Sequence, residues 1–343
     1  MADIKSYKSF RDFLEAHRVG DLLKAEAERE PLIFVKSTDR VPEVLKVLCD
    51  KQISAVPVFD ETTKEWVGIV EMLDFVTVVT LLSNVKSLVD AFSTSGPVPE
   101  ADYVDQEAKV IMDCQVGEFA SQQDLPKRNP LRFFDIDHSL EQLMAIFSKE
   151  FNKHRVCVKD GDEVVAVLSQ FGVLKFLHGV LPNYPHMATK KLSEWHSLSD
   201  NVLFVLESDT AIDAFNLLIE KKVTGLAVVN DDGKLVGSIS ASDLKGSTGK
   251  DLFSNLKLSV HDYLKKAAVF FGREGVPVAV SSEATLTEIM DLLIKNHLHR
   301  LFVVDEAGKP IQVLSLTDVI TFLWASWTEE EIALYAAAHP EAQ

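Results

Sequence analysis

The sequence repeats one structural pattern four times, and this repetition constrains the fold more than any single motif. The most complete copy spans residues 275–327. In it, a short apolar strand leads to a helix whose apolar residues recur every three or four positions, and a strand hairpin and a second helix follow. The other copies span 31–82, 129–181 and 199–250. The pattern therefore predicts an α/β chain of four tandem units, each with the order β-α-β-β-α.

The internal spacing of the units supports this interpretation. The spacing in question is the number of sequence positions from the residue that precedes the first hairpin strand to a residue near the start of the second helix. It is 19 positions from His299 to Asp318, 19 from Thr224 to Asp243, 20 from Ser54 to Asp74, and 18 from His154 to Gly172. Four units with nearly one spacing indicate duplication of a single folding unit.

Length and composition limit the architecture and the class of partner. A chain of 343 residues is longer than a domain with a single hydrophobic core usually is. The repeats are therefore expected to form two paired modules. With 47% hydrophobic and 25% charged residues, it is typical of folded soluble proteins. Its 35 basic and 52 acidic residues give a net charge of −17. Such a charge disfavours nucleic acid as a partner, and the sequence pattern suggests no membrane partner.

The remaining composition predicts a reduced intracellular environment. Cys49, Cys114 and Cys157 are too few and too widely spaced for a disulfide framework or a zinc site. No apolar run has the length of a membrane span, and the first residues do not resemble a signal peptide. We therefore expect a cytoplasmic protein, with a nuclear location as a further possibility, and no metal.

Three aspartates hold the same place near the start of the second helix. Asp318, Asp243 and Asp74 belong to the fourth, third and first repeats, whereas the second repeat has Gly172. A carboxylate there commonly caps the helix by accepting backbone N–H groups. It could equally accept hydrogen bonds from a ligand, and the sequence leaves both roles open.

Two His-Arg pairs lie at equivalent positions, His154-Arg155 and His299-Arg300. Either pair could be structural, with the arginine bound to an acidic neighbour. Guanidinium and imidazole groups also suit phosphate oxygens, and several together would create a local positive site in an acidic protein. Hydroxyls beside the helix starts could add to such a site, and those of interest are Ser240, Ser242, Ser315 and Thr317.

With these residues in view, each unit resembles a cystathionine-beta-synthase-type (CBS) domain. Four in tandem resemble the gamma regulatory subunits of AMP-activated protein kinase, over roughly Pro31 to Leu323. The resemblance implies paired (Bateman) modules that bind AMP, ADP or ATP between repeats, with aspartates such as Asp318 accepting hydrogen bonds from ribose hydroxyls. It also implies kinase alpha-type and scaffold beta-type subunits as partners.

The sequence departs from that family in two places. The family usually has a phosphate-binding arginine where this chain has Ser54, and basic residues where it has Ser169, Gln170, Phe171 and Gly172. We therefore expect two or three competent sites at most, with weaker binding of the more highly charged nucleotides. Complete loss of sensing stays open. The chain would then be a ligand-poor scaffold subunit, and regulation of an unrelated enzyme is a third alternative.

The sequence does not predict an enzyme or a catalytic cofactor. It contains no HExxH, GxSxG or GxGxxG motif, and His299-Arg300-Leu301 is not a kinase catalytic triplet. The predicted segments outside the repeats are an N-terminal helical segment at 1–30, linkers at 83–128, 182–198 and 251–274, and a C-terminal helix at 328–343.

Overall fold

The computed structural model describes most of the chain in eight ranges. These are residues 9–25, 31–92, 114–122, 131–148, 153–195, 198–247, 251–271 and 277–325. The predicted C-terminal helix at 328–343 lies outside the described residues, as do 93–113 and 123–128 of the predicted linker.

Each repeat builds one small mixed sheet. Within the described ranges, there are four sheets of three strands. In each, the first strand pairs parallel with the second, and the second pairs antiparallel with the third. The strands are β1 Val35–Lys36, β2 Ala55–Asp60, β3 Glu65–Glu71, β4 Phe133–Asp135, β5 Arg155–Asp160, β6 Glu163–Ser169, β7 Phe204–Leu206, β8 Gly225–Val229, β9 Leu235–Ser240, β10 Ala279–Val280, β11 Arg300–Val304 and β12 Pro310–Ser315.

Helices lie between and beside these strands. Those of the described ranges are α1 Phe10–Ala16, α2 Val19–Ala25, α3 Val41–Asp50, α4 Met72–Phe92, α5 Val116–Gln122, α6 Leu140–Phe147, α7 Gln170–Val180, α8 Pro185–Ala188, α9 Ala211–Lys221, α10 Leu252–Leu256, α11 Val260–Phe271, α12 Leu286–Lys295 and α13 Leu316–Ala325. Short 3-10 helices occupy Leu181–Asn183, Leu192–Glu194 and Ala241–Ser247. The predicted fold class, tandem βαββα units, is confirmed.

The third repeat departs from the predicted order because its last element is a 3-10 helix. This helix, Ala241–Ser247, contains Gly246 near its end. A β-carbon at Gly246 would lie 2.8 Å from the α-carbon of Ala267 on α11. The close approach of α11 therefore requires glycine there, and glycine is a weak helix former.

Two hydrophobic cores run between repeats that are not neighbours in sequence. In one, α6 and α7 of the second repeat pack on α13 of the fourth, and Phe147 is fully buried. In the other, α4 of the first repeat packs on α9 of the third, where Phe215 is fully buried. Each core is thus shared by repeats from different halves of the chain.

The first repeat also meets the second, and the third meets the fourth, through their sheets and loops. The amide of Leu235 in the third repeat donates to the carbonyl of Gly308 in the fourth, at 2.9 Å. Arg155 of the second repeat pairs with Glu71 of the first. Each repeat thus contacts two others, and the four close into a ring.

The segment that precedes each pair of repeats packs on the second member of the pair. Helices α1 and α2 lie against the second repeat, where the amide of Gly20 donates to Ile136 O at 2.8 Å. Phe10, Phe13 and Leu14 of α1 are buried there. Likewise, the amide of Leu192 donates to Ala284 O of the fourth repeat at 2.9 Å.

The connection inside each pair packs on the first member. The amide of Val116 at the start of α5 donates to Asp39 O of the first repeat at 2.7 Å. The amide of Val260 at the start of α11 donates to Asp209 O of the third repeat, also at 2.7 Å. This exchange ties the two members of each pair together.

The predicted linker at 83–128 begins too early. Helix α4 continues through residues 83–92, and α5 occupies Val116–Gln122. The reason is in the sequence, since Val85, Leu88 and Val89 continue the apolar spacing of α4 and no glycine or proline occurs before Gly96. In the described ranges, none of the helices has the length and apolar character needed to cross a membrane.

Candidate functional site

The four repeats enclose a shared cavity of about 1780 Å³. Equivalent residues of all four repeats line it, namely Ser54, His154, Thr224 and His299. Of the eleven site residues predicted from the sequence, nine are in its wall: His154, Arg155, Ser240, Ser242, Asp243, His299, Arg300, Ser315 and Thr317. Asp74 and Asp318 are not among the lining residues.

One hydrogen bond, present in every repeat, brings the hairpin strand and the second helix together at this cavity. The residue preceding the strand accepts from a backbone amide at the start of the helix. The bonds run from Met72 to Ser54 at 3.0 Å, and from Gln170 to His154, Ala241 to Thr224 and Leu316 to His299 at 3.1 Å. These partners are 16 to 18 positions apart, and the 18-to-20-residue spacing seen in the sequence ends two residues further along the helix.

The aspartates serve as caps at the end of the strand. In each case, the carboxylate Oδ2 accepts from the backbone amide three residues earlier, at 2.7 Å, for Glu71 with Asp74, Ser240 with Asp243, and Ser315 with Asp318. The hydroxyls of Ser240 and Ser315 donate to the same oxygens. The structural alternative weighed from the sequence is therefore realised, and it holds each strand-helix junction rigid.

The second repeat caps the same junction differently. Gly172 replaces the aspartate, and its amide donates to the Ser169 hydroxyl at 3.2 Å. A β-carbon at Gly172 would have only the Ser169 hydroxyl oxygen nearby, at 3.7 Å. The absence of a carboxylate at position 172 is therefore not due to a lack of space.

Arg300 is held in a position that leaves part of its guanidinium unsatisfied. Its Nη2 donates to the Thr224 hydroxyl of the third repeat. Its Nη1 is buried and has no hydrogen-bond partner among the described residues. Burial lowers the pKa of Arg300 to about 10, and the carboxylate of Asp243 opposes that shift. A buried cationic N–H without an acceptor is unfavourable, so this atom marks a place where an anion would be stabilised.

Arg155, the equivalent arginine of the second repeat, is satisfied. Its Nη1 donates to Glu71 Oε1 of the first repeat at 2.7 Å, and the side chains of both residues are mostly buried. The two His-Arg pairs are identical in sequence, yet of these two arginines only Arg300 has a buried side-chain nitrogen with no hydrogen-bond partner among the described residues.

His154 and His299 are solvent-accessible side chains on the cavity wall. Desolvation by the surrounding protein, followed by the positive charges of Arg155 and Arg300, lowers the pKa of His299 well below its ordinary value. Burial and Arg155 similarly lower the pKa of His154, while Glu71 opposes the shift. Both imidazoles are therefore neutral at pH 7, and each can donate one hydrogen bond and accept another.

The predicted hydroxyls bridge repeats. Ser242 lies 3.1 Å from Ser54 of the first repeat, oxygen to oxygen. Thr317 accepts a hydrogen bond from Gln170 of the second repeat at 2.9 Å. The ring of Phe171 lies beside that of His299, with 5.9 Å between centroids. At the positions where the resemblance implies basic residues, this chain thus uses neutral contacts between repeats.

The sequence interpretation missed Thr224, Glu71 and Lys245, which lie in the wall, and Gly225, which lies against the Arg300 guanidinium. Thr224-Gly225 occupies the place of the His-Arg pair in the third repeat, and Glu71 occupies that of Ser240 and Ser315. Comparing equivalent positions across repeats could have found these three. Nothing in the repeat pattern signals Lys245, which is buried. The described residues contain no cluster suited to a metal ion.

Comparison with known proteins identifies the repeats. The CBS domain family model matches residues 194–247 and 275–325, and the other two repeats have the same topology. The third and fourth repeats are therefore CBS domains. All four repeats contribute to the cavity, and the two that the family model matches contain Thr224, Asp243, His299 and Arg300.

The curated relatives of this chain align along nearly its whole length. It is 26% identical over 326 residues to the "5'-AMP-activated protein kinase subunit gamma" of Saccharomyces cerevisiae, covering 92% of each chain. It is 24% identical to the gamma-3 subunit of Homo sapiens, covering 91% of this chain and 60% of that protein. The chain thus resembles gamma subunits across its four repeats.

A solved structure has a similar fold along most of this chain. The crystal structure of a protein from Methanocaldococcus jannaschii, described as a proposed archaeal homologue of g-AMPK, covers 89% of this chain. The TM-score is 0.65, this chain covers 99% of the archaeal chain, and the identity is 14%. At that identity, the likeness concerns the fold of the CBS domains alone.

Proposed function

We propose that this protein is the non-catalytic, nucleotide-sensing regulatory subunit of an AMP-activated-type protein kinase. Its ligands are AMP, ADP and ATP, bound in the cavity between the CBS domains. The observation that carries the proposal is the buried, unpartnered Nη1 of Arg300 in the cavity wall. The alignment with kinase gamma subunits over 92% of the chain supports the choice of nucleotide and of partner.

The cavity residues divide into groups suited to the parts of a nucleotide. Arg300 and His299 suit phosphate oxygens, and so do His154 and Arg155 at the second pair. Asp243 lines the cavity, and Asp318 and Asp74 lie at the equivalent strand-helix junctions behind its wall; the resemblance to gamma subunits assigns these three aspartates to the ribose. The hydroxyls of Ser240, Ser242, Ser315 and Thr317 complete the set beside the helix starts. Since neutral side chains replace several expected cations, we expect AMP to bind more tightly than ATP.

Regulation requires that the nucleotide bind two conformations with different affinity. The ring of four CBS domains provides a suitable element, because contacts between repeats such as Arg300 with Thr224 and Gln170 with Thr317 lie in the same wall. A ligand that engages Arg300 would alter the contacts between the third and fourth repeats. We propose kinase alpha-type and scaffold beta-type subunits as the partners that read this change, in the cytoplasm.

Titration calorimetry with AMP tests the binding step. We expect heat of binding for the wild-type protein, a loss of at least tenfold in affinity for Arg300→Ala, and little change for Arg132→Ala, whose arginine is exposed elsewhere. Adenosine, which lacks the phosphate, should bind equally weakly to wild type and Arg300→Ala. Absence of AMP binding to the wild-type protein at millimolar concentration would refute nucleotide sensing.

A ligand-poor scaffold subunit is the second candidate, and the ion pair of Arg155 with Glu71 favours it, because one of the two cationic centres is already neutralised. Affinity capture of the protein from cell extract distinguishes the candidates. Kinase activity of the captured complex that responds to AMP supports the sensor. Recovery of kinase and beta-type subunits whose kinase activity does not change when AMP is added supports the scaffold.

A further inference from the structure

The two His-Arg pairs differ in what faces them across the cavity. Arg300 faces Thr224 and Gly225, and its Nη1 lacks an acceptor among the described residues. Arg155 faces the carboxylate of Glu71, whose Oε1 lies 2.7 Å from its Nη1. The exposed fractions of these two side chains are 15% for Arg155 and 24% for Glu71, so the pair is much less screened by water than a surface pair.

Glu71 stands at a position that holds a serine in every other repeat. It is the last residue of β3, and the equivalent residues are Ser169, Ser240 and Ser315. A serine hydroxyl in this place reaches its own helix start, as Ser315 does by donating to Asp318. The longer glutamate side chain instead crosses from the first repeat to the second.

The backbone of Glu71 is fixed at the junction. Its amide donates to Oδ2 of the buried Asp74 at 2.7 Å. The residue before the hairpin, Ser54, accepts from the amide of Met72 at 3.0 Å. With the main chain held on both sides, the carboxylate stays within reach of Arg155, so the ion pair is part of the folded ring.

We propose that Glu71 acts as an internal anion that occupies Arg155 and restricts phosphate binding to the Arg300 side of the cavity. This inference rests on the proposed function for the identity of the ligand. A phosphate approaching Arg155 would have to break a largely buried ion pair and also lie close to the Glu71 carboxylate, whose charge repels it. On the Arg300 side, Thr224 and Gly225 carry no charge, and the nearby Asp243 carboxylate accepts hydrogen bonds from the amide and the hydroxyl of Ser240. A phosphate that binds Arg300 therefore has no ion pair to break among the described residues.

The inference predicts that removal of one charge opens a second anion site. Glu71→Gln keeps the size of the side chain and a hydrogen-bond acceptor for Arg155 but removes the negative charge. Glu71→Ser restores the residue of the other three repeats. In both variants, pyrophosphate and AMP should bind at Arg155 at least tenfold more tightly than in the wild type, which corresponds to about 1.4 kcal/mol.

The experiment counts bound anions per chain by equilibrium dialysis, with AMP and with pyrophosphate as the base-free probe. We expect Glu71→Gln and Glu71→Ser to gain one binding event each. Glu65→Gln is the matched control, since Glu65 is an exposed glutamate at the other end of the same strand, and it should behave as the wild type. Adding Arg155→Ala to Glu71→Gln should remove the gain.

Two results would overturn the inference. One is anion binding by both Glu71 variants that equals that of the wild type and Glu65→Gln. The other is a gain that persists when Arg155→Ala is added. AMP binding by the wild type separates this inference from the proposed function: if the wild type does not bind AMP, the sensor proposal fails, while a gain of pyrophosphate binding in Glu71→Gln would still establish the role of Glu71.

Discussion

The guanidinium of Arg300 lies so close to Gly225 that a β-carbon on that glycine would be 1.4 Å from Nη1. The two residues belong to the fourth and third repeats and occupy equivalent places in them. The third repeat has glycine where the fourth has arginine, and the vacant volume is filled by the arginine of its neighbour. The orientation of the Arg300 Nη1 group therefore depends on Gly225, which has no side chain.

Gly225→Ala should displace the Arg300 guanidinium and weaken AMP binding at least tenfold. The fold should tolerate the change, because the clash is with the end of a flexible side chain and alanine restricts the unfolded chain more than glycine does. Calorimetry and thermal denaturation measure the two effects. Gly179→Ala is the control, since a β-carbon on Gly179 in α7 has no atom within 4 Å. Wild-type affinity in Gly225→Ala would contradict the proposed role of Arg300.

Arg300→Met should make the ligand-free protein more stable, by about 1 kcal/mol. Replacing a buried charge that lacks a full set of partners with an apolar side chain of similar length is often neutral or stabilising. Urea denaturation without nucleotide measures the change. AMP should then raise the midpoint for the wild type but not for Arg300→Met, because a ligand stabilises only the state that binds it. A clear loss of stability in Arg300→Met would show that Arg300 is structural.

Gly172→Asp should stabilise the second repeat by about 1 kcal/mol. The position is open to a side chain, since only the Ser169 hydroxyl oxygen lies nearby at 3.7 Å. An aspartate in the first turn of α7 interacts favourably with the helix dipole, and removal of a helical glycine adds to the effect. Chemical denaturation provides the measurement. Gly172→Ala isolates the glycine contribution, and equal stability of the two variants would exclude a capping role for a carboxylate at this position.

The stability of the ligand-free protein should fall as the pH is lowered from 7.5 towards 5. The lowered pKa values of His154 and His299 mean that the unfolded chain takes up protons below about pH 6.5, before the folded chain does. Folding is therefore disfavoured in this window, and the stability is regained as the pH rises through it. Denaturation midpoints of wild type and His154→Gln/His299→Gln across this range test the expectation.

The double variant should show a shallower dependence on pH. His186→Gln, at an exposed histidine of α8, should retain the slope of the wild type. Identical slopes for the wild type and the double variant would show that the cavity histidines do not contribute to the pH dependence.

The sequence predicted the fold of a single repeat well, because the patterns that encode it are local. The apolar spacing of α12 and the turn after Val304 lie within one repeat, and the structure places α12 at Leu286–Lys295 and the hairpin strands at Arg300–Val304 and Pro310–Ser315. The same local approach failed at residues 83–92, where α4 continues beyond the repeat boundary. It also missed the 3-10 helix of the third repeat, which depends on the packing of Gly246 against Ala267.

What the sequence alone determined was the repeated unit and the chemical types of the residues at its ends. Only the tertiary structure decided which repeats share a core and what each His-Arg pair faces. Arg300 meets Thr224, and Arg155 meets Glu71, through contacts that span 76 and 84 positions in the chain. The two identical pairs have different surroundings because the residue that faces each arginine belongs to another repeat. A local sequence pattern does not show which repeat will be the neighbour.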